Sequence, residues 1–167
     1  MLRGSDIVGA ATAEAQGAFR ILVVEDAVHD AGPLIRQLQA AGLTAIFRQV
    51  ASQAGLRGAM AEFAPDIVLS SMDLPGLQGT RVLDIVRSLQ PALPFIYVAD
   101  LLAEEAAVAT LQRGADDYII RQQTARLPAA VMRAIGDARQ RRDRSRVESE
   151  LMRAQRLESL SMLAAGL

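Results

Sequence analysis

Residues 65–76 read PDIVLSSMDLPG. The uninterrupted apolar run Ile67 to Leu69 lies between Pro65 and a loop that contains Pro75 and Gly76, which predicts a short buried strand. Runs of this kind alternate along the chain with longer segments in which apolar residues recur every three or four positions. The predicted strands are Ile21–Val24, Thr44–Val50, Ile67–Leu69, Phe95–Val98 and Tyr118–Ile120. The predicted helices are Ala31–Ala41, Gln53–Phe63, Thr80–Leu89, Glu104–Arg113 and one that starts near Thr124.

Short apolar strands that alternate with helices favour a parallel sheet covered by helices on both faces, with right-handed crossovers. In such sheets the functional residues lie at the carboxyl ends of the strands. The residues expected at that edge are Glu25 and Asp26, Ser70 and Ser71, Ala99 and Asp100, and Arg121.

The composition excludes several kinds of chemistry. All 18 basic residues are arginine, so a lysine Schiff base and a P-loop lysine are excluded. The absence of cysteine excludes disulfides and thiolate sites, and a single histidine, His29, offers little for zinc. The net charge of −1 gives no overall attraction to DNA or to an anionic membrane. No apolar run could span a bilayer, so we expect a cytoplasmic protein with a flexible leader over residues 1–18.

The last helix differs from the others because no proline follows Pro128. A continuous helix from about Ala125 to Ala165 would be on the order of 60 Å long. Residues 139–146 are nearly all charged, and an apolar seam follows them with a shift of phase near Leu157. This seam predicts a homodimeric coiled coil, with a helix that folds back on its own domain as the alternative. Its residues are Val147, Leu151, Ala154, Leu157, Leu160 and Ala164.

Four motifs in order resemble the receiver domain of two-component response regulators, over about Arg20 to Ala138. They are the acids Glu25 and Asp26, the segments 65–69 and 74–76, and the stretch GADDYII at 114–120. The resemblance implies a flavodoxin-like (βα)5 fold, a doubly wound parallel sheet with strand order 2-1-3-4-5. It also implies phosphoryl transfer from a partner histidine kinase to an aspartate after the third strand, assisted by Mg²⁺.

Several receiver positions are retained in this sequence. By the resemblance, Glu25 and Asp26 match the acid pair that holds the metal. Asp73 matches the position whose backbone carbonyl is a metal ligand, and Tyr118 matches the aromatic residue that rotates on activation.

Three other positions depart from the family pattern. Ser71 stands at the phosphoacceptor position, Ala99 at the threonine or serine position, and Arg121 at the lysine position. A neutral hydroxyl removes a metal carboxylate and is a weak nucleophile without a base. We therefore expect a degenerate receiver that carries no aspartyl phosphate, and we expect Arg121 to pair with Asp26 or Glu25. No cofactor is expected, and any Mg²⁺ would be held weakly by Asp26 and Asp73.

Two other interpretations of this site remain open. The domain could be phosphorylated at Asp73 or Ser71. The site could also bind an anionic ligand, such as a cyclic dinucleotide, in place of phosphorylation.

Residues 152–167, MRAQRLESLSMLAAGL, resemble the start of the dimerisation helix of a sensor histidine kinase. In that family the phosphorylated histidine would follow beyond Leu167. The resemblance implies a regulatory receiver of a hybrid histidine kinase, with a receiver-like domain over 19–138 and a helical linker over 139–167. This piece would not itself be an enzyme, and its partners would be downstream kinase domains and other two-component proteins. A complete small protein with a coiled-coil tail is the alternative.

Overall fold

The computed structural model describes residues 17–26, 31–100 and 104–166. Most of the predicted leader, 1–18, and His29 lie outside the described residues. The strands are β1 Phe19–Val24, β2 Ala45–Val50, β3 Ile67–Ser71, β4 Phe95–Ala99 and β5 Asp117–Ile120. The helices are α1 Gly32–Ala40, α2 Gln53–Glu62, α3 Gly79–Leu89, α4 Glu104–Gln112 and α5 Leu127–Ala165, with a 3₁₀ segment at Arg121–Arg126.

The strands form one parallel sheet in the order β2-β1-β3-β4-β5, which confirms the predicted fold. The register aligns the carboxyl ends of β1, β3, β4 and β5, the four strands that the expected site residues end or follow. Val24 lies beside Ser70, Ser71 lies beside Val98, and Ala99 lies beside Ile120. The residues that follow β1, β4 and β5 therefore meet Ser71 at one edge of the sheet.

The core has two layers because successive strand residues point to opposite faces of the sheet. On one face Leu22 and Val24 pack with buried residues of α2 and α3. On the other face Ile21 and Val23 pack with α1 and with the first turns of α5. Both faces of the sheet are thus covered by helices, as the unbroken apolar strands predicted.

The last helix begins later than the sequence predicted. Residues Arg121–Arg126 form a 3₁₀ segment with a non-helical Gln123, and α5 starts at Leu127. Pro128 explains this start, since a proline without an N–H fits the first turn of a helix. The helix is then continuous for 39 residues.

The chain divides into two compact units after Ile135. Within the second unit, every residue from 139 to 166 is exposed. Within the part of the chain that the structure describes, no helix is both long and apolar enough to cross a membrane.

Ala64 has a left-handed backbone conformation, with φ +48°, just before Pro65. An alanine there is strained because its Cβ crowds the backbone, whereas glycine adopts this conformation freely. We expect Ala64→Gly to raise the free energy of unfolding by about 0.5–1 kcal/mol in urea denaturation. The matched control is Ala61→Gly, inside α2, which should lower it by about 0.5–1 kcal/mol. A loss of stability in Ala64→Gly would contradict the strain.

Candidate functional site at the carboxyl edge of the sheet

One guanidinium joins the ends of three strands. Arg121, directly after β5, donates from Nη2 to Glu25 Oε2 at 2.8 Å and from Nε to Asp100 Oδ1 at 2.8 Å. Its Nη2 also lies 3.5 Å from Ser71 Oγ. The predicted pair between Arg121 and Glu25 is therefore confirmed. Asp100 was expected at this edge, but its bond to Arg121 was not predicted.

The pair with Glu25 lies in a region that water hardly reaches. The Glu25 side chain is 1% exposed, that of Arg121 is 21% exposed, and that of Asp100 is 47% exposed. Burial by itself would lower the pKa of Arg121, but the hydrogen bonds and charges of Glu25 and Asp100 raise it above the usual value. Arg121 is thus a permanent cation. Glu25 Oε1 is buried and has no hydrogen-bond partner among the described residues.

The other acids of the predicted pocket lie in different surroundings. Asp26 is buried, and its backbone carbonyl accepts a bond from Gln49 Nε2 at 3.4 Å. Asp73 is exposed in the loop after β3. At this edge the guanidinium thus bonds to Glu25 and to Asp100.

Ala99 and Tyr118, at two predicted switch positions, both belong to the buried layer that faces α2 and α3. Burial raises the pKa of the Tyr118 hydroxyl, and the nearby charge of Asp73 raises it further. The methyl group of Ala99 offers no hydrogen bond at the end of β4, where the family pattern has a hydroxyl.

The residues present do not fit a tightly held Mg²⁺ ion. Mg²⁺ prefers an octahedron of oxygen ligands with carboxylates among them. Ser71 offers a neutral hydroxyl, and Glu25 is bound at 2.8 Å by the cationic Arg121. Among residues 17–26, 31–100 and 104–166, no three His, Cys, Asp or Glu side chains are grouped so that they could hold a metal.

Two contacts that were not predicted from the sequence fix the loop that follows Ser71. A Cβ atom on Gly79 would lie 2.8 Å from the carbonyl oxygen of Met72, so only glycine allows α3 to start this close to β3. The hydroxyl of Tyr97, buried in β4, donates to the carbonyl of Gly79 at 2.8 Å. Together they fix the segment that carries Asp73.

Two acids of the receiver-like segments 65–69 and 114–120 have structural roles at the opposite edge of the sheet. Asp66 Oδ2 accepts a bond from the backbone N–H of Arg20 at 2.8 Å, and Asp116 Oδ2 accepts one from Phe95 N at 2.8 Å. Arg87 adds bonds to the carbonyls of Leu93 and Gly114. These motifs therefore order the starts of β1 and β4, whereas the site is formed by the strand ends.

The residues of the predicted dimer seam all lie on α5. Val147, Leu151, Leu157 and Leu160 expose between 57% and 68% of their surface. They form an apolar face in the second unit, whose partner is considered below.

Comparisons with known proteins agree with the fold. The family described as the response regulator receiver domain matches residues 21–132. The chain belongs to the response regulator receiver family. It is 36% identical over 118 residues to the sensory transduction protein RegX3 of Mycobacterium tuberculosis, covering 69% of this chain and 49% of that protein.

More distant relatives lead to the same family. The DNA-binding transcriptional regulator NtrC of Salmonella typhimurium is 32% identical over 99 residues, which are 59% of this chain and 21% of NtrC. The crystal structure of NtrX from Brucella abortus superposes with a TM-score of 0.69 and 28% identity, covering 78% of this receiver chain and 30% of NtrX. The chain thus spans about half or less of the length of these relatives.

Removal of the guanidinium should destabilise the receiver because Glu25 would remain buried without its cation. We expect Arg121→Met to lower the free energy of unfolding by about 2–3 kcal/mol, less than for a fully buried pair because Arg121 is partly exposed. The double variant Arg121→Met with Glu25→Gln should recover at least about half of this loss. The matched control is Arg113→Met, which breaks a half-exposed pair with Asp84 and should cost about 0.5 kcal/mol. Equal losses in both single variants would contradict a special role for Arg121.

Both tyrosines of the chain should resist ionisation in the folded state. Burial raises the pKa of Tyr97 above its usual value of 10.0. Burial also raises the pKa of Tyr118, and the negative charge of Asp73 raises it further. The unfolded chain loses these protons near pH 10 while the folded chain keeps them, so stability should fall as the pH rises through 10. Phenolate absorbance should therefore appear only together with unfolding. In Tyr97→Phe the loss of stability with pH should be smaller, and early ionisation of both tyrosines in folded protein would contradict their burial.

Proposed function

We propose that this receiver domain is a regulatory module that signals without aspartyl phosphate. The observation that carries the proposal is the position of Arg121, bound to Glu25 and Asp100 and 3.5 Å from the hydroxyl of Ser71. In the family pattern a lysine at the position of Arg121 stands beside a carboxylate, a metal ion and a phosphoryl group. Here the guanidinium of Arg121 bonds directly to the buried Glu25.

The chemistry of Ser71 supports this proposal. A serine hydroxyl becomes a good nucleophile only when a nearby base accepts its proton. Among the described residues, Arg121 has a side chain within reach of Ser71 Oγ, and its guanidinium has no acceptor atom. Ser71 is also only 5% exposed, which limits access for an outside kinase.

Asp73 is a poorer candidate for phosphorylation than an aspartate at position 71 would be. It lies two residues beyond the end of β3, in the exposed loop, whereas Arg121 bonds to Glu25 and Asp100 and reaches Ser71. A phosphoryl group on Asp73 would therefore lack the cation that stabilises developing charge.

An anionic ligand at this edge is also disfavoured by charge. Glu25, Asp26, Asp73 and Asp100 lie at the ends of β1, β3 and β4, and Arg121 is a single cation among them. The local charge is therefore negative, and a cyclic dinucleotide would be repelled.

The output of the module is proposed to pass through α5 to a histidine kinase in the same protein. The resemblance of residues 152–167 to a kinase dimerisation helix supports this proposal, as does the apolar seam from Val147 to Ala164. Pairing of two copies along the seam would place two kinase chains side by side. A DNA-binding output is the second candidate, because the relative NtrC is described as a DNA-binding transcriptional regulator.

Incubation with acetyl phosphate and Mg²⁺ should leave the intact mass of the protein unchanged, because the acceptor carboxylate and the metal ligands are incomplete. A receiver with the complete family pattern serves as the positive control in the same experiment. The triple variant Ser71→Asp, Ala99→Thr and Arg121→Lys should gain the mass of one phosphoryl group. An adduct on the unmodified chain, mapped to Asp73 or Ser71, would overturn the proposal.

A further inference from the structure

The exposed part of α5 has a heptad pattern that extends beyond the apolar seam. Counting from Val147, the positions that face a partner in a two-stranded coil fall at alternating steps of three and four residues. These positions are Val147, Glu150, Ala154, Leu157, Ser161 and Ala164. Leu151 and Leu160 lie directly beside them, one on each flank. Counted in this one frame, the large apolar residues lie on one flank before Leu157 and on the other flank after it, which is the shift of phase that the seam shows.

The flanks of this stripe carry opposite charges at one pair of matching positions. In a parallel two-stranded coil, a residue on one flank meets the residue five positions later on the other flank of the partner. Arg153 lies on one flank and Glu158, five residues later, lies on the other. In two parallel helices in register, Arg153 would thus meet Glu158 of the partner subunit, and this contact would occur twice.

Within one helix the two charges do not face each other, because residues five positions apart point in directions about 140° apart. Glu158 also has no cation three or four residues away, where Gln155, Ser161, Ala154 and Met162 lie. Arg153 has Glu150 three residues earlier on its own helix, whereas Glu158 meets a cation only across the proposed interface.

The same rule shows where the stripe begins. Two heptads before the pair of Arg153 and Glu158, Arg139 would meet Arg144 of the partner subunit, a repulsive contact, and Asp143 would face its own copy across the interface. Parallel helices are thus held apart over 139–144 and attracted from Val147 onwards.

We propose that residues 147–164 pair with the same segment of a second copy in a parallel, in-register two-stranded coil, oriented by Arg153 meeting Glu158 of the partner subunit. This inference rests on the homodimer in the proposed function and adds its direction and register. Glu150 meets its own copy within the stripe, which weakens the pair and makes it adjustable.

The absence of cysteine from the chain makes the direction directly measurable. Single cysteines are introduced at Val147 and, separately, at Ala164, in the full 167-residue chain. These positions are about 25 Å apart along the helix. In a parallel pair in register both variants should form disulfide-linked dimers under mild oxidation. In an antiparallel pair only positions near the twofold axis meet their own copy, so at most one of the two variants should cross-link. Met152→Cys, on the outer face, is the control and should cross-link poorly.

The charge contact is tested by reversal and exchange. Arg153→Glu and Glu158→Arg, each alone, should weaken dimerisation by on the order of tenfold, measured by sedimentation. The double variant should return to within about threefold of the original chain, because exchange restores the attraction. Arg156→Glu carries the same change of charge on the outer face and should alter dimerisation by less than about threefold.

The outcomes separate this inference from the proposed function. A chain that stays monomeric at all accessible concentrations would overturn both the homodimer and its orientation. A dimer in which Val147→Cys and Ala164→Cys do not both cross-link would overturn the parallel register and leave the homodimer standing. Failure of the double variant to recover would overturn the contact between Arg153 and Glu158 of the partner subunit.

Discussion

The contact between Arg121 and the buried carboxylate of Glu25 is the constraint on which the functional edge depends. A carboxylate that is 1% exposed is stable as an anion only when a partner supplies the opposite charge. Arg121 supplies this charge from the end of β5, and it reaches Asp100 with the same group. Because a guanidinium cannot lose its proton in the physiological range, this edge keeps its cation at every working pH. A metal ion could leave the site, whereas this cation is covalently part of the chain.

The fold could be predicted from the sequence because each strand and helix has a recognisable local pattern of residues. Strands buried on both faces appear as short apolar runs, and Gly42, with φ +80°, lies just after α1, where a left-handed backbone favours glycine. The pair between Arg121 and Glu25 could be predicted for a similar reason. Aligned ends of parallel strands bring their following residues together, and opposite charges at such positions are expected to pair.

The missed features depend on distances that no local pattern encodes. The close approach of Gly79 to Met72 and the bond from Tyr97 require knowledge of how α3 packs against β3 and β4. Asp100 follows β4 as predicted, but which strand-end carboxylates reach the guanidinium is decided by side-chain directions. The 3₁₀ segment at Arg121–Arg126 was missed because its sequence, RQQTAR, has no apolar spacing that distinguishes it from the start of a helix.

A fixed cation at this edge changes how a signal could enter the domain. In a phosphorylated receiver the covalent group supplies the free energy that favours one conformation over another. In the proposed module without aspartyl phosphate that source would be absent, so the equilibrium between two pairings of the helix would have to be shifted by a partner with different affinities for them. The first turns of α5 pack in the same layer as Ile96, Val98 and Ile119, so a partner that displaces β4 or β5 also acts on the start of this helix. A weak pair is suited to such control, because a small difference in binding free energy is then enough to change its population.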